Sequence, residues 1–181
     1  LKTRPGGFSV AVYEAAIRAA GGSDFSRDFA RFAAAVPEWR TGAGFRESDL
    51  FPDMPRQGKL ALGAPARIHE LNHTTFEPLQ VVARGGRAVV VHMTAPLGTA
   101  AGVALIGRIG TERGGKVIAN VDYQRSGGRL RVQIGDPGRF SRITAVLINA
   151  DAQASGFSAR RLDWRYLTDQ VPFAVRANLI R

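Results

Sequence analysis

The sequence predicts a mostly β protein: an antiparallel β-sandwich of jelly-roll or immunoglobulin-like character, preceded by an α-helical hairpin. Three observations carry that reading. Apolar residues recur at helical spacing through the first forty positions. From Lys59 onward the period falls towards two and β-branched residues accumulate. Gly-Gly pairs then stand at 85–86, 114–115 and 127–128, each between strand-like runs.

Taken in order, Ser9 is a plausible N-cap, and Val10, Tyr13, Ile17 and Ala20 follow at helical spacing until Gly21-Gly22 stops the run. A second helix opens near Ser23 and Asp24. It carries Phe25, Phe29, Phe32 and Val36 on one stripe, which reads as core, before Pro37 ends it. Two amphipathic helices with a short turn form a hairpin over residues 1–40 that is too small to bury its own apolar face. Residues 41–58, rich in Gly, Pro and Asp, lose all periodicity and read as a linker.

Residues 59–157 are the sandwich. The three Gly-Gly pairs each predict a hairpin, because glycine supplies the positive φ that tight turns between twisted strands require. Each pair leads into a strand, not a helix N-terminus, so a phosphate-binding loop is disfavoured. "RITAVLINA", residues 142–150, is an almost unbroken apolar run suited to a central strand. After Asp151 the pattern becomes irregular, and residues 158–181 read as a tail whose Trp164, Tyr166 and Phe173 either pin it to the body or form a contact surface for a partner.

At 181 residues the chain has room for a substantial core, and 45% hydrophobic with 22% charged residues is the balance of a folded protein. No apolar run reaches the roughly 18 residues of a membrane span. The absence of cysteine excludes disulfides, thiol catalysis and thiolate metal sites. The chain begins at Leu1, with no initiator Met and no signal peptide, and is read as a piece of something longer.

The net charge is +10, and its lysines are Lys2, Lys59 and Lys116, so arginine dominates. Arg125, Arg129, Arg131, Arg139 and Arg142 gather on neighbouring strands, with Arg160, Arg161 and Arg165 in the tail, which admits a polyanion-binding reading. Tyr123 and Phe140 alone accompany the strand arginines, which is sparse for stacking on bases. Scattered arginine is also what a biased composition produces.

Residues 69–73, His69-Glu70-Leu71-Asn72-His73, match the H-E-x-x-H pattern of zinc peptidases. On a helix, the i and i+4 imidazoles would grip zinc and the glutamate would take a proton from the bound water. An enzyme built this way would use His69 and His73 as ligands, Glu70 as general base and His92 as third ligand. The flanks argue for a strand instead. Pro65 and Pro78 bracket the motif, Thr74, Thr75 and Phe76 favour β structure, and no continuous helical stripe passes through it. On one strand face His69 and His73 would stand roughly 13 Å apart, too far for one metal. A G-x-S-x-G elbow is also missing, since "SGFS" at 155–158 is loop-like.

Several stretches resemble a known family: "GFSVAVYEAAIR", "FPDMPRQGKLALGAPAR", "LNHTTFEPLQV", "GTAAGVALIGRIG" and "RITAVLINADAQASGFSARRLDW". They are similar to the C-terminal region of secreted zinc metalloproteases of actinobacteria and related bacteria. The resemblance implies that the zinc-binding helix lies upstream of this chain, and that residues 8–36 end a catalytic helical lobe. It also implies that the segment matching 72–75 keeps an Asn/Asp-His-Thr-Thr core without counterparts of His69 and Glu70.

The expected function is therefore a non-catalytic accessory module of a larger secreted metallopeptidase-like protein, acting in docking, stabilisation or substrate or surface binding. Its expected partners are the missing upstream catalytic domain, or a second copy through the helical hairpin, with a polyanion as a further ligand. No catalytic, cofactor-binding or metal-ligating residue is assigned to the chain itself, and no cofactor is expected. The alternatives are the zinc hydrolase using residues 69–73 and the polyanion binder.

Overall fold

The computed structural model describes residues 15–16, 18–21, 24–41, 58–111, 115–151, 157–158, 161–162 and 170–181. Residues 15–16 and 18–19 are helical, and Gly21 turns with φ +76° where a glycine stop was expected. Most of the first helix and of the linker lie outside the described residues. The second helix, α1 (Phe25–Ala35), is capped by Asp24, whose carboxylate accepts from the Arg27 N–H at 2.8 Å. It tightens into a 3₁₀ turn over Val36–Thr41, where Pro37 has no N–H to continue the α-helical ladder.

Helix α1 corrects one expectation. Its buried face is Ser26, Ala30, Ala33 and Ala34, while Phe32 is 46% exposed. Small residues let the helix approach the sheet closely, and the phenylalanines line its flank, with the Phe25 and Phe29 rings stacked 6.2 Å apart.

The remaining chain forms β1 (Gly58–Leu60), β2 (Arg67–Leu71), β3 (Thr75–Val81), β4 (Ala88–Ala95), β5 (Ala101–Ile109), β6 (Lys116–Gln124), β7 (Gly128–Gly135), β8 (Arg142–Asn149), β9 (Phe157–Ser158), β10 (Arg161–Leu162) and β11 (Val171–Ile180). One sheet has the order β1-β3-β8-β5-β6, the other β2-β11-β4-β7, and β9 and β10 pair as a small ribbon. All pairings are antiparallel except β1 with β3. From β2 to β8 and on to β11 the chain alternates between sheets, staying in one sheet only from β5 to β6. That order is a jelly roll, not an immunoglobulin sandwich, whose first two strands share a sheet.

The topology also corrects two of the three expected hairpins. Gly114-Gly115 does lie between the paired strands β5 and β6. Gly85-Gly86 and Gly127-Gly128 instead carry the chain from one sheet to the other. All four of those crossover glycines have positive φ. At Gly127 the packing is as demanding as the φ: a Cβ there would lie 1.9 Å from the Pro96 carbonyl oxygen.

The sandwich interior is filled by Leu79, Val81, Val89, Val91, Met93, Val103, Leu105, Leu130, Ile134, Leu147 and Phe173, among others. Central strand β8 is buried on both faces, as its apolar run predicts. Its Ile143, Ala145 and Leu147 face the interior, and its Val146 and Ile148 meet α1 and its neighbours on the outside. The molecule is thus a helix layer on a two-sheet sandwich.

Residues 171–180, expected as part of a tail, are a ten-residue strand in the middle of the four-stranded sheet. Val171, Phe173, Val175, Ala177 and Leu179 alternate inward. On the opposite side of the sandwich, β6 closes the free edge of β7. Asp122 accepts from the Arg131 N–H at 2.8 Å, and the Asn120 amide donates to the Gln133 carbonyl at 2.6 Å. These contacts occupy edge groups that would otherwise invite another strand.

Candidate functional site

Residues 67–71 form strand β2, so the H-E-x-x-H helix is not formed. His69 faces the gap between the sheets beside Phe173, and its Nδ1 lies 2.8 Å from Glu77 Oε2 on β3. Glu70 points to the other side and is exposed. The strand stops at Leu71, so His73 sits in a turn, not on the strand face expected for it. Among the described residues no three His, Cys, Asp or Glu side chains gather as a metal site would require.

His73 belongs to a polar cluster at one end of the sandwich. Its Nε2 is 3.5 Å from Asp151 Oδ2. Thr74, held at φ 53°, donates its hydroxyl to the Asp151 carbonyl at 3.1 Å. Buried Asn149 donates to the Leu71 carbonyl at 3.1 Å and accepts from the Asp151 N–H at 3.1 Å. The Gln170 N–H reaches Asn72 Oδ1 at 3.2 Å. A β-branched residue at positive φ is strained, and these bonds hold the β2–β3 turn against the ends of β8 and β11. The histidine–aspartate pair is a support of the fold in this arrangement.

The two outer faces of the sandwich differ. The five-stranded sheet is covered by α1, with Ala30, Ala33 and Ala34 against Ala104, Ile106, Val146 and Ile148. The 3₁₀ turn after α1 is fixed by Glu38, which takes a donor pair from buried Arg108 and a third bond, 3.0 Å, from Arg142. Arg108 and Arg142 are directly opposite on β5 and β8. Tyr123 holds the start of the helix through a 3.1 Å hydrogen bond to Asp24, and burial, with the Asp24 charge beside it, pushes its phenol up to about 12.

The outer face of the four-stranded sheet carries exposed Thr94, Arg129, Arg131 and Arg176, with half-buried His92 and buried Val90 on its central strand β4. Register places Arg131 of β7, His92 of β4 and Arg176 of β11 side by side in one row. The row on one side is Gln133, Val90 and Asn178, and on the other Arg129, Thr94 and Ala174, followed on β2 by Ile68, which is 62% exposed. Arg129, Arg131 and Arg176 are exposed, and no acidic side chain among the described residues pairs with them. Burial, and then Arg176 and Arg131, lower the pKa of His92, so the face carries a positive potential.

The structure therefore divides the arginines that the sequence groups together. Arg129 and Arg131 share the open face. Arg142 belongs to the Glu38 cluster on the other sheet, Arg139 lies over the Phe140 ring at 4.8 Å, and Arg125 is exposed in the turn after β6. The side chains of Arg160, Arg161 and Arg165 lie outside the described residues. Sequence reasoning misses Arg176, whose strand it reads as tail, and places His92 with the zinc alternative. The alternation from Val171 to Ile180 is the signal that would have put Arg176 beside His92.

No protein-family model and no curated protein matches the chain. Among solved structures it is similar to a Family 16 Carbohydrate Binding Module-2, with 14% sequence identity and a TM-score of 0.38 over 66% of this chain and 87% of the other. A score that low says nothing about ligand or site.

Proposed function

We propose that this chain is a non-catalytic β-sandwich binding module with a helical N-terminal extension, part of a larger secreted protein resembling a zinc metallopeptidase. The observation that supports it is the contrast between the two sheets. One outer face is covered by the chain's own helix, and the other presents arginines with which no acidic side chain among the described residues forms an ion pair. Several residues with acid–base or metal-binding chemistry pair with other side chains of the scaffold: His69 with Glu77, His73 with Asp151, and Glu38 with Arg108 and Arg142.

The larger protein, its extracellular location and its catalytic half are the reading that the sequence resemblance favours. In that reading the phenylalanine flank of α1, with half-exposed Phe32, meets the upstream domain or a second copy of the chain. No helix among the described residues is long and apolar enough to cross a membrane.

Elemental analysis of the purified chain, together with Glu70→Gln and His73→Ala variants assayed for peptide hydrolysis, tests the non-catalytic reading. Substoichiometric zinc and no hydrolysis sensitive to Glu70 are expected. Stoichiometric zinc lost on His73→Ala, or hydrolysis abolished by Glu70→Gln, would overturn it.

A further inference from the structure

We infer that the outer face of the four-stranded sheet binds an acidic polysaccharide, whose sulfate or carboxylate groups seat on the row Arg131–His92–Arg176. The inference rests on the binding-module reading and supplies its site and ligand class. Like charges directly opposite one another on neighbouring strands are destabilising. Here three basic side chains are aligned in register across β7, β4 and β11. Among the described residues the acids nearest the row are Asp122, at the sheet edge, whose carboxylate accepts from the Arg131 main-chain N–H at 2.8 Å, and Glu70, opposite Pro172, four residues along β11 from Arg176 and so roughly 13 Å away. Arg131 donates to the Gln133 side-chain oxygen at 2.7 Å, a neutral partner, so the positive charge of the row is not neutralised by an ion pair among the described residues. A local arrangement that opposes stability in this way is expected at functional surfaces.

The geometry favours a linear ligand lying across the strands. Two strand spacings separate Arg131 from Arg176, roughly 10 Å, so such a ligand meets two guanidinium groups with an imidazole between them. Guanidinium groups form paired hydrogen bonds with sulfate or carboxylate. The flanking rows add the Asn178 amide, the Thr94 hydroxyl and the NH2 of Gln133, whose oxygen accepts from Arg131, and these groups suit sugar hydroxyls. Nucleic acid is less well matched, because among the described residues no aromatic side chain on this face is available to stack on a base. Phe173 on β11 points into the core, and Tyr123 lies on the other sheet under Arg27.

Binding would also respond to pH. The charged groups facing His92 are Arg131 and Arg129 from β7 and Arg176 from β11; its other neighbours, Val90, Thr94, Ala174, Asn178 and Gln133, are neutral. A bound anion offsets those charges and favours the imidazolium, so affinity rises as His92 takes up a proton.

The test is isothermal titration calorimetry of the whole chain with heparin and with polygalacturonate, against neutral dextran and a single-stranded oligonucleotide. The double variant Arg131→Gln/Arg176→Gln is compared with Lys59→Gln/Arg84→Gln, which removes the same charge from exposed positions elsewhere. The expected result is binding of an acidic glycan that weakens roughly tenfold or more in the row variant and much less in the control. Affinity should rise between about pH 8 and about pH 5, and His92→Gln should flatten that rise. Equal loss in both double variants, no binding of either acidic glycan, or tighter row-dependent binding of the oligonucleotide would each overturn the proposal. Acidic-glycan binding indifferent to the row variant would remove this surface while leaving the module reading intact, and only the zinc and hydrolysis results bear on the latter. Circular dichroism of all variants confirms that they fold.

Discussion

Glu38 and Arg108 form a buried ion pair that locks the turn after α1 onto the outer face of β5, seventy residues away in sequence. Both side chains are almost wholly removed from water, at 6% and 2% exposure. Such a pair adds little or no net stability over a well-packed apolar substitute, but removing one partner is costly because the other charge stays buried.

Glu38→Ala is therefore expected to cost about 3–5 kcal/mol, because it removes the carboxylate that buried Arg108 and neighbouring Arg142 both reach. Arg142→Gln should cost much less, since that side chain is 29% exposed and Arg108 keeps its carboxylate. Urea unfolding of both variants measures the difference. A Glu38→Ala loss no larger than that of Arg142→Gln would show that the pair does not anchor the turn.

Tyr123 provides a pH test of the same helix. Its folded pKa, about 12, lies above the ordinary 10 of an unfolded tyrosine, so the folded state holds the phenolic proton more tightly. That contribution is complete below about pH 10 and is lost as pH rises from about 10 to about 12. Tyr123→Phe should remove this component and the hydrogen bond to Asp24 together. The measurement is thermal stability against pH for both proteins, and parallel curves through this window would exclude the linkage.

The sign is opposite at His92. Its pKa is lowered, first by burial and then by Arg176 and Arg131, so the unfolded chain binds a proton more readily than the folded one. Its contribution is complete above about pH 6.5 and falls away as the medium becomes more acidic. His92→Gln should reduce the acid loss of stability, whereas Arg176→Gln should raise the His92 pKa when followed by NMR titration. An unmoved imidazole titration would show that the row is not electrostatically coupled.

How much of this was legible in the sequence depends on how locally each feature is encoded. The Asp24 cap, the glycine stop at 21 and the central strand at 142–149 are local patterns, and each appears where its pattern places it. The strand form of residues 67–71 was legible too, from the prolines and threonines around it. Which glycine pairs make hairpins was not, because Gly127 has the same φ whether the next strand joins the same sheet or the opposite one. The burial of alanine over phenylalanine on α1 follows from how close the sheet lies, which no helical period reveals. The open basic face depends on register between β4, β7 and β11, and the residues paired across β4 and β11 lie 80 to 92 positions apart, from Ala174 with Thr94 to Ile180 with Ala88.

Gly127 separates conformational strain from close packing. At φ +72° an alanine is disfavoured by roughly 1–2 kcal/mol whatever surrounds it, and Gly63 has nearly the same φ, +75°. Around Gly63 nothing lies within 4 Å of the added carbon, so Gly63→Ala should cost about that amount and little more. At Gly127 the added carbon would meet the Pro96 carbonyl oxygen at 1.9 Å and its carbon at 2.8 Å, both main-chain atoms. The adjoining Ser126 carbonyl accepts from the Gly98 N–H at 2.9 Å, so the crossover cannot move outward without losing a bond to the β4–β5 loop. Overpacking of this kind adds roughly 1–3 kcal/mol, and Gly127→Ala should be the more damaging of the two by that margin. Equal losses in urea unfolding would mean that the crossover from β6 to β7 gives way freely, and that its path between the sheets is not fixed by the close approach to Pro96.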